Sequence, residues 1–271
     1  MTALKAVVFD WAGTIVDFGS LAPMGAFVRL FANHGVEISI AQARVPMGLP
    51  KLAHIEALGA MPDIATQWLH ATGRPFGAVD ARALLLEFEP MSAASALAHS
   101  EFIPGFLDTY AWLKDAGVGV ATTTGYTRTI MTPLIAKAAA AGFVPARVIC
   151  CDDVAYSRPS PLGMQACMQT LGLTGQGETV VKVDDTVPGL QEALNAGCWA
   201  VGVAASGNAL GWSWDQWLQA SEHARESSLL QAYQTLRQGG AHEVIDSVAD
   251  LPVALAAIAA RIAAGETPML R

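Results

Sequence analysis

The sequence predicts an α/β fold: a doubly wound parallel sheet with an inserted α-helical cap domain. Three observations carry this. Six short apolar, β-branched runs recur along the chain, helical stretches separate most of them, and one long stretch near the N-terminus interrupts the alternation. Strands alternating with helices of this length indicate right-handed βαβ units. Such a sheet presents its ligands beyond the carboxyl ends of the strands.

The first run, Ala6-Val7-Val8-Phe9, ends abruptly at Asp10, as a buried parallel strand does when its last residue meets a polar edge. The second and third are Val118-Gly119-Val120-Ala121-Thr122 and Arg147-Val148-Ile149-Cys150. The fourth to sixth are Thr179-Val180-Val181-Lys182-Val183, Trp199-Ala200-Val201-Gly202-Val203 and His242-Glu243-Val244-Ile245-Asp246. Helices are expected over 105–116, 128–141, 161–171 and 188–196. The Ala-rich stretch 251–264 contains Arg261, is too short to span a bilayer, and reads as an amphipathic terminal helix.

Between about residues 20 and 100 no convincing strand is found. Apolar residues fall at helical spacing in Met24, Phe27, Val28, Leu30 and Phe31, and again over 82–98, where Pro90 is expected to interrupt the helix. We therefore expect a core of residues 1–19 and 101–271 and a helical cap of 20–100. Hinges are expected near 18–21 and 101–104, so that the cap admits substrate and then excludes water.

The 271 residues are 52% hydrophobic and 15% charged, enough for a sizeable core. Their formal charge of −8 disfavours nucleic acid, and no signal peptide or membrane span is expected, so the reading is a soluble cytoplasmic chain. Cys150, Cys151, Cys167 and Cys198 form neither a spaced disulfide framework nor a metal pattern and read as buried cytosolic thiols.

The expected strand ends carry the chemistry. Asp10-Trp11-Ala12-Gly13-Thr14-Ile15-Val16-Asp17 places a carboxylate at the first, with Gly13 to let the chain turn and Thr14 to hydrogen-bond the carboxylate. It suits a nucleophile; taken alone, it suits a helix cap better. Thr122-Thr123-Thr124-Gly125-Tyr126-Thr127-Arg128 offers hydroxyls and helix-start amides to a phosphate oxygen, or simply a cap. Asp184-Asp185 adds carboxylates beside Asp10, and packed like charges call for a cation; oxygen ligands with phosphate favour Mg²⁺. Arg158 supplies a fixed positive charge, unless it is a surface arginine. Trp11 and Tyr126 either line the pocket or pack.

This order of an aspartate, a threonine, a basic residue and a late acidic pair resembles the haloacid dehalogenase-like superfamily over the whole chain. Phosphatases of that superfamily carry a second aspartate two residues after the nucleophile, where this chain has Ala12. The cap segment Arg44-Val45-Pro46-Met47-Gly48-Leu49-Pro50-Lys51-Leu52-Ala53-His54, with Asp-Trp-Ala-Gly-Thr and Thr-Thr-Gly-Tyr-Thr-Arg, further resembles the phosphonatase branch. The resemblance implies C–P bond hydrolysis of phosphonoacetaldehyde, with Asp10 as nucleophile and Lys51 as Schiff-base lysine. It implies Mg²⁺ on Asp10, the Ala12 carbonyl and Asp185, and phosphate contacts at Thr124, Gly125 and Arg158. Met47 and His54 would lie near the amine, and a homodimer would form through the cap, with the helix around residues 24–31 as a candidate surface.

Three departures stand out. Asp184 occupies a position where the resemblance leads us to expect glycine, Gly189 one where an acid is expected, and Ala53 one where aspartate is expected. Other readings stay open at this stage: a capped phosphomonoesterase in which Lys51 only binds, a dehalogenase, or a binding protein with a decayed site. Ala12 disfavours the first and Asp185 the second. The Trp212, Trp214 and Trp217 cluster is either a partner surface or the packing of a late helix.

Overall fold

The computed structural model describes residues 3–268. Six parallel strands form one sheet: β1 (Ala6–Phe9), β2 (Gly119–Thr123), β3 (Val148–Ile149), β4 (Val180–Asp184), β5 (Trp199–Val203) and β6 (Glu243–Ile245), in the order β3-β2-β1-β4-β5-β6. β1 is central, and Phe9 lies between Thr122 and Val183. The next residue, Asp10, therefore emerges at the middle of the carboxyl edge.

Side chains of period two divide the core. Val7, Phe9, Val181, Val183, Val201 and Val203 face one layer, while Ala6, Val8, Val180 and Ala200 face the other. The first layer receives α6 (Phe106–Asp115), α7 (Arg128–Ala140) and α12 (Leu251–Ala263). The second receives α8 (Leu162–Thr170), α9 (Val187–Asn195) and α11 (Glu222–Gln238).

The N-terminal insertion is helical throughout: α1 (Ala22–Ala32), α2 (Ile40–Arg44), α3 (Lys51–Gly59), α4 (Pro62–Thr72) and α5 (Ala78–Ala98). Phe27 is its packing centre, stacked on His54 at 3.9 Å and on Phe88 at 4.3 Å. Pro90 does not interrupt α5, contrary to the sequence expectation. The missing amide leaves the Leu86 carbonyl without its helical donor, and Leu86 is exposed, so the lost bond falls on the solvent side of the helix. The apolar face of α1 is also not a surface: Met24, Phe27, Leu30 and Phe31 are buried within this chain and are unavailable to a second copy.

The two connections to the insertion lie side by side. Asp17 N–H donates to the Glu101 carbonyl at 3.2 Å, and Ile103 N–H to the Ile15 carbonyl at 2.8 Å. In the first connection Asp17, Gly19 and Ser20 all have positive φ, of 60°, 90° and 50°. Two non-glycine residues in this sparsely populated region mark a tightly determined turn. The tryptophan cluster packs on it. Phe18 lies 5.1 Å from Trp214, which opens α10 (Trp214–Gln219), and 6.2 Å from Trp217.

Helix α11 has no sequence expectation behind it. Only Ala232 and Leu236 among its residues are buried, so it shows no apolar stripe. No helix among the described residues is long and apolar enough to cross a membrane. All four cysteines are free, and all but the half-buried Cys151 are buried.

Candidate active site

At the carboxyl edge of the sheet, a small cavity of about 20 Å³ lies between the strand ends and the helical insertion. That is room for about one water molecule. Asp10, Ala12, Thr124, Gly125, Tyr126 and Arg158 line it from the sheet side, and Met47 and Lys51 from the insertion. Eight residues singled out in the sequence thus meet in one place. Asp185 and His54 stand behind this wall. Ser20, Pro23, Gly48 and Thr186 also line the cavity.

The approach of the two walls depends on glycine. Gly48 has φ +89°, and a Cβ there would fall 2.4 Å from Thr186 Oγ1. A Cβ on Gly125 would lie 3.1 Å from the Leu49 carbonyl oxygen. Arg44 adds a polar tie: its guanidinium donates to the Gly19 carbonyl and Asn208 Oδ1 at 3.0 Å each, and to the Gly211 carbonyl at 3.2 Å. The Asn208 amide in turn donates to Asp185 Oδ2 at 2.7 Å.

On the sheet side the site is an ion network. Arg158 is buried rather than on the surface, and donates to Asp10 Oδ1 at 2.8 Å and to Glu192 Oε2 at 3.1 Å. Asp184 Oδ2 lies 3.2 Å from Arg158 and 3.3 Å from Lys182. Thr123 Oγ1 joins the same network, accepting from Arg158 and Lys182 and donating to Glu192. Burial works against the Arg158 charge, but Asp184, Asp10 and Glu192 outweigh it and stabilise the cation.

Lys182 and Glu192 were not foreseen as site residues. Their signal was a charge inside an otherwise apolar buried strand, and a carboxylate on the sheet-facing side of α9, each almost never buried unless paired.

The carboxylates Asp10, Asp184 and Asp185 each place an oxygen within 4.8 Å of the others, all buried. Burial raises Asp10, only partly offset by Arg158. Burial, then the charges of Asp10 and Asp184, push Asp185 well above the carboxylate range. Asp184 behaves oppositely: Arg158 and Lys182 outweigh its burial and hold it low. Asp184 Oδ2 and Asp185 Oδ1 have no hydrogen-bond donor among the described residues. Crowded, buried, under-satisfied carboxylate oxygens are the donor set of a hard cation, and a metal ion fits here.

Lys51 is the first residue of α3 and is only 4% exposed. Its Nζ lies 4.8 Å from the Tyr126 ring centroid and 5.7 Å from that of Phe27. Burial lowers its pKa to about 8, against the opposing pull of nearby Cys151 and Asp10. His54, one turn on, is fully buried, and its Nε2 pairs with the Ala43 carbonyl at 2.9 Å. Burial, reinforced by the Lys51 charge, holds the imidazole neutral, and its Nδ1 has no hydrogen-bond partner among the described residues.

One open alternative is decided here and two sequence expectations are corrected. Trp11 packs in the core instead of lining the pocket; it donates to Thr122 Oγ1 at 2.9 Å, which also removes that hydroxyl from the ligand edge. Thr14 Oγ1 makes no hydrogen bond to Asp10 or to any other described residue. The Arg128 amide at the start of α7 is already taken by Asp152, at 2.8 and 3.1 Å. The oxygen-binding candidates beyond β2 thereby narrow to Thr124 and Gly125. There the Thr124 hydroxyl accepts from the Tyr126 amide at 3.2 Å.

Comparison with known proteins agrees with this arrangement. Residues 4–197 match the family model for haloacid dehalogenase-like hydrolase. The chain is 44% identical to a phosphonoacetaldehyde hydrolase of Paraburkholderia phytofirmans, over 99% of this chain and 100% of that one. It is 43% identical to one of Salmonella typhi, over 99% and 100%. The crystal structure of a phosphonoacetaldehyde hydrolase-like protein from Oleispira antarctica superposes with a TM-score of 0.96 at 38% identity, covering 98% of this chain and 96% of that one. Full-length identity of this order, together with the matching sheet and helical insertion, means that the chain belongs to the phosphonoacetaldehyde hydrolase family of haloacid dehalogenase-like hydrolases.

Proposed function

We propose that this protein hydrolyses the C–P bond of phosphonoacetaldehyde to acetaldehyde and phosphate, using Lys51 as the electron-sink amine and Asp10 as the nucleophile. One observation carries the reading: a buried lysine with a pKa of about 8 shares a small cavity with a buried aspartate. A direct break of the C–P bond would leave a bare carbanion. Neutral Lys51 instead adds to the aldehyde carbon and water leaves, giving an iminium. Asp10 then attacks phosphorus, the C–P electron pair flows into the iminium, and an enamine departs. Water cleaves the aspartyl phosphate, and protonation and hydrolysis of the enamine return acetaldehyde and Lys51.

Ala12 is consistent with this route, because an enamine leaving group needs no proton from an acid at that position. The methyl group at residue 12 takes no part. Thr124, Gly125 and Arg158 bind the phosphoryl oxygens in this proposal, while Met47 and Tyr126 wall the aldehyde end. His54 is assigned as a transient relay for the proton Lys51 sheds, since its burial and the nearby amine oppose lasting protonation. Mg²⁺ is the metal we assign to Asp10, the Ala12 carbonyl and Asp185; when bound it neutralises phosphoryl charge.

The cavity is too small for the substrate, so we infer that residues 20–100 act as a cap that swings on the adjoining connections at 18–21 and 101–104. We further infer a cytoplasmic homodimer joined through the cap. Val79, Leu86 and Leu97, exposed at positions 7 and 18 residues apart along α5, fall on one helical face that suits such a contact.

Borohydride reduction in the presence of phosphonoacetaldehyde, followed by peptide mapping, tests the reading. Label on Lys51 is expected; active but unlabelled protein would overturn the imine route. A simple phosphate monoester hydrolysed faster than phosphonoacetaldehyde would favour the esterase reading instead.

A further inference from the structure

Asp184 and Gly189 share one volume. A Cβ on Gly189 would lie 2.0 to 2.3 Å from the carboxylate atoms of Asp184, closer than any real Cβ contact. A side chain at 189 and the present carboxylate at 184 are therefore mutually exclusive. Gly189 has no positive φ that would otherwise demand glycine, and it sits in the first turn of α9, where glycine is intrinsically unfavourable. Clearance for Asp184 is the reason it is there.

Asp184 is fully buried at the end of β4. Its Oδ1 is oriented by the amide and hydroxyl of Thr186, at 3.0 and 2.7 Å. Its Oδ2 lacks a hydrogen-bond donor but sits beside Arg158 and Lys182, in the cluster with Asp10 and Asp185. Within this connected group the carboxylates Asp10, Asp184, Asp185 and Glu192 face the two cations Arg158 and Lys182. With all four carboxylates ionised, the excess of two negative charges equals the charge of one divalent ion.

We propose that Asp184 is a positioning residue of the metal centre, installed together with Gly189. It braces Arg158 beside Asp10 and supplies negative charge that the bound divalent cation neutralises, and Gly189 is the clearance that admits it. The carboxylate at 184 and the absent side chain at 189 are thus one arrangement: the acidic group fills from the strand end the space that a side chain on the helix would take. The inference rests on the metal assignment above.

Isothermal titration of the full chain with Mg²⁺, without substrate, decides it, with each variant's melting curve recorded in parallel. Asp184→Asn should bind Mg²⁺ about 10- to 100-fold more weakly, the range for residues that orient metal ligands. Gly189→Ala, which removes no polar atom, should lose affinity in the same direction. The double variant Asp184→Gly/Gly189→Asp should recover most of that loss and bind more tightly than either single variant. Wild-type affinity in a folded Asp184→Asn or Gly189→Ala variant would overturn the proposal. So would a double variant no better than the single variants, and so would a wild-type chain that binds no Mg²⁺. Should a single variant fail to fold, the double variant decides alone: if it folds and binds, the shared volume is supported, and if it does not, the proposal falls. Failure of borohydride trapping at Lys51 with Mg²⁺ affinity intact would strike the proposed reaction and leave this pairing in place.

Discussion

The two walls of the cavity handle charge in opposite ways. On the sheet side, Asp10 is held by Arg158 at 2.8 Å within a network of ion pairs and threonine hydroxyls. On the insertion side, Lys51 has aromatic rings for neighbours, and His54 is kept neutral by burial. Pairing preserves ions that a low-dielectric interior would reject, while desolvation without a tight partner removes a proton from an amine. A nucleophilic carboxylate must stay ionised and a Schiff-base amine must become neutral. The insertion wall meets the second demand by desolvation; on the sheet wall Arg158 offsets only part of the burial that raises Asp10, and a divalent cation bound beside it would supply the rest.

The sharpest way to break this comparison is to remove each group in turn. Lys51→Arg and Asp10→Asn should each lower C–P cleavage by on the order of 10⁴-fold or more, as loss of a covalent catalyst does. They should differ in trapping: borohydride with the aldehyde should still label the Asp10→Asn protein at Lys51, and should leave Lys51→Arg unlabelled. Equal labelling in both would show that the two walls do not divide the work.

Stability should sharpen the contrast. The folded chain holds Lys51 at a pKa of about 8, below the 10.5 of an ordinary lysine, so unfolding takes up a proton between those values. Lysine's cost is therefore fully present below pH 8 and disappears as pH rises toward 10.5. Lys51→Met should stabilise the fold at pH 7 by about 3 kcal/mol, read from denaturant midpoints, and the gain should vanish near pH 10.5. No change in stability at pH 7 would mean that the amine is not desolvated.

The meeting of the walls gives a smaller effect. Gly48→Ala combines a backbone with φ +89° and a 2.4 Å approach to Thr186 Oγ1, so it should hold the walls apart. A loss of about 10²-fold in kcat/KM is expected from displacement of this size, with the melting temperature lowered by roughly a few degrees by the strained backbone. Unaltered kinetics would show that the insertion need not seat fully.

The smallest effect is the pH profile. With a Lys51 pKa of about 8 the neutral fraction at pH 7 is about one tenth, so turnover under saturating substrate should rise about tenfold to a plateau above pH 8. A flat profile between pH 7 and 9 would point to a step other than amine addition.

Much of the molecule was legible before its structure. The strand runs were found to within a residue or so at most ends because buried parallel strands are continuously apolar. Asp10, Thr124 and Asp185 were singled out because polar residues directly follow such runs, and the structure gathers them at the carboxyl edge of the sheet. Lys51, Met47 and His54 came from resemblance, since a lysine at the start of a helix carries no signal of its own. Helix α11 escaped because a mostly exposed helix has no apolar face. Thr14 was misassigned, and Trp11 left open, because sequence adjacency does not say which way a side chain turns after a strand.

What the chain's order of residues determined by itself was periodic or local: which stretches are strands, where they end, and which polar residues follow. What only the tertiary structure decided was depth and company. Lys182 and Glu192 join the site across 10 residues of sequence and two elements, Lys51 loses water through rings from elsewhere, and Gly189 makes sense only beside Asp184. Local order is governed by backbone and side-chain propensities over a few residues, whereas burial, dielectric and steric exclusion arise only when distant segments pack together.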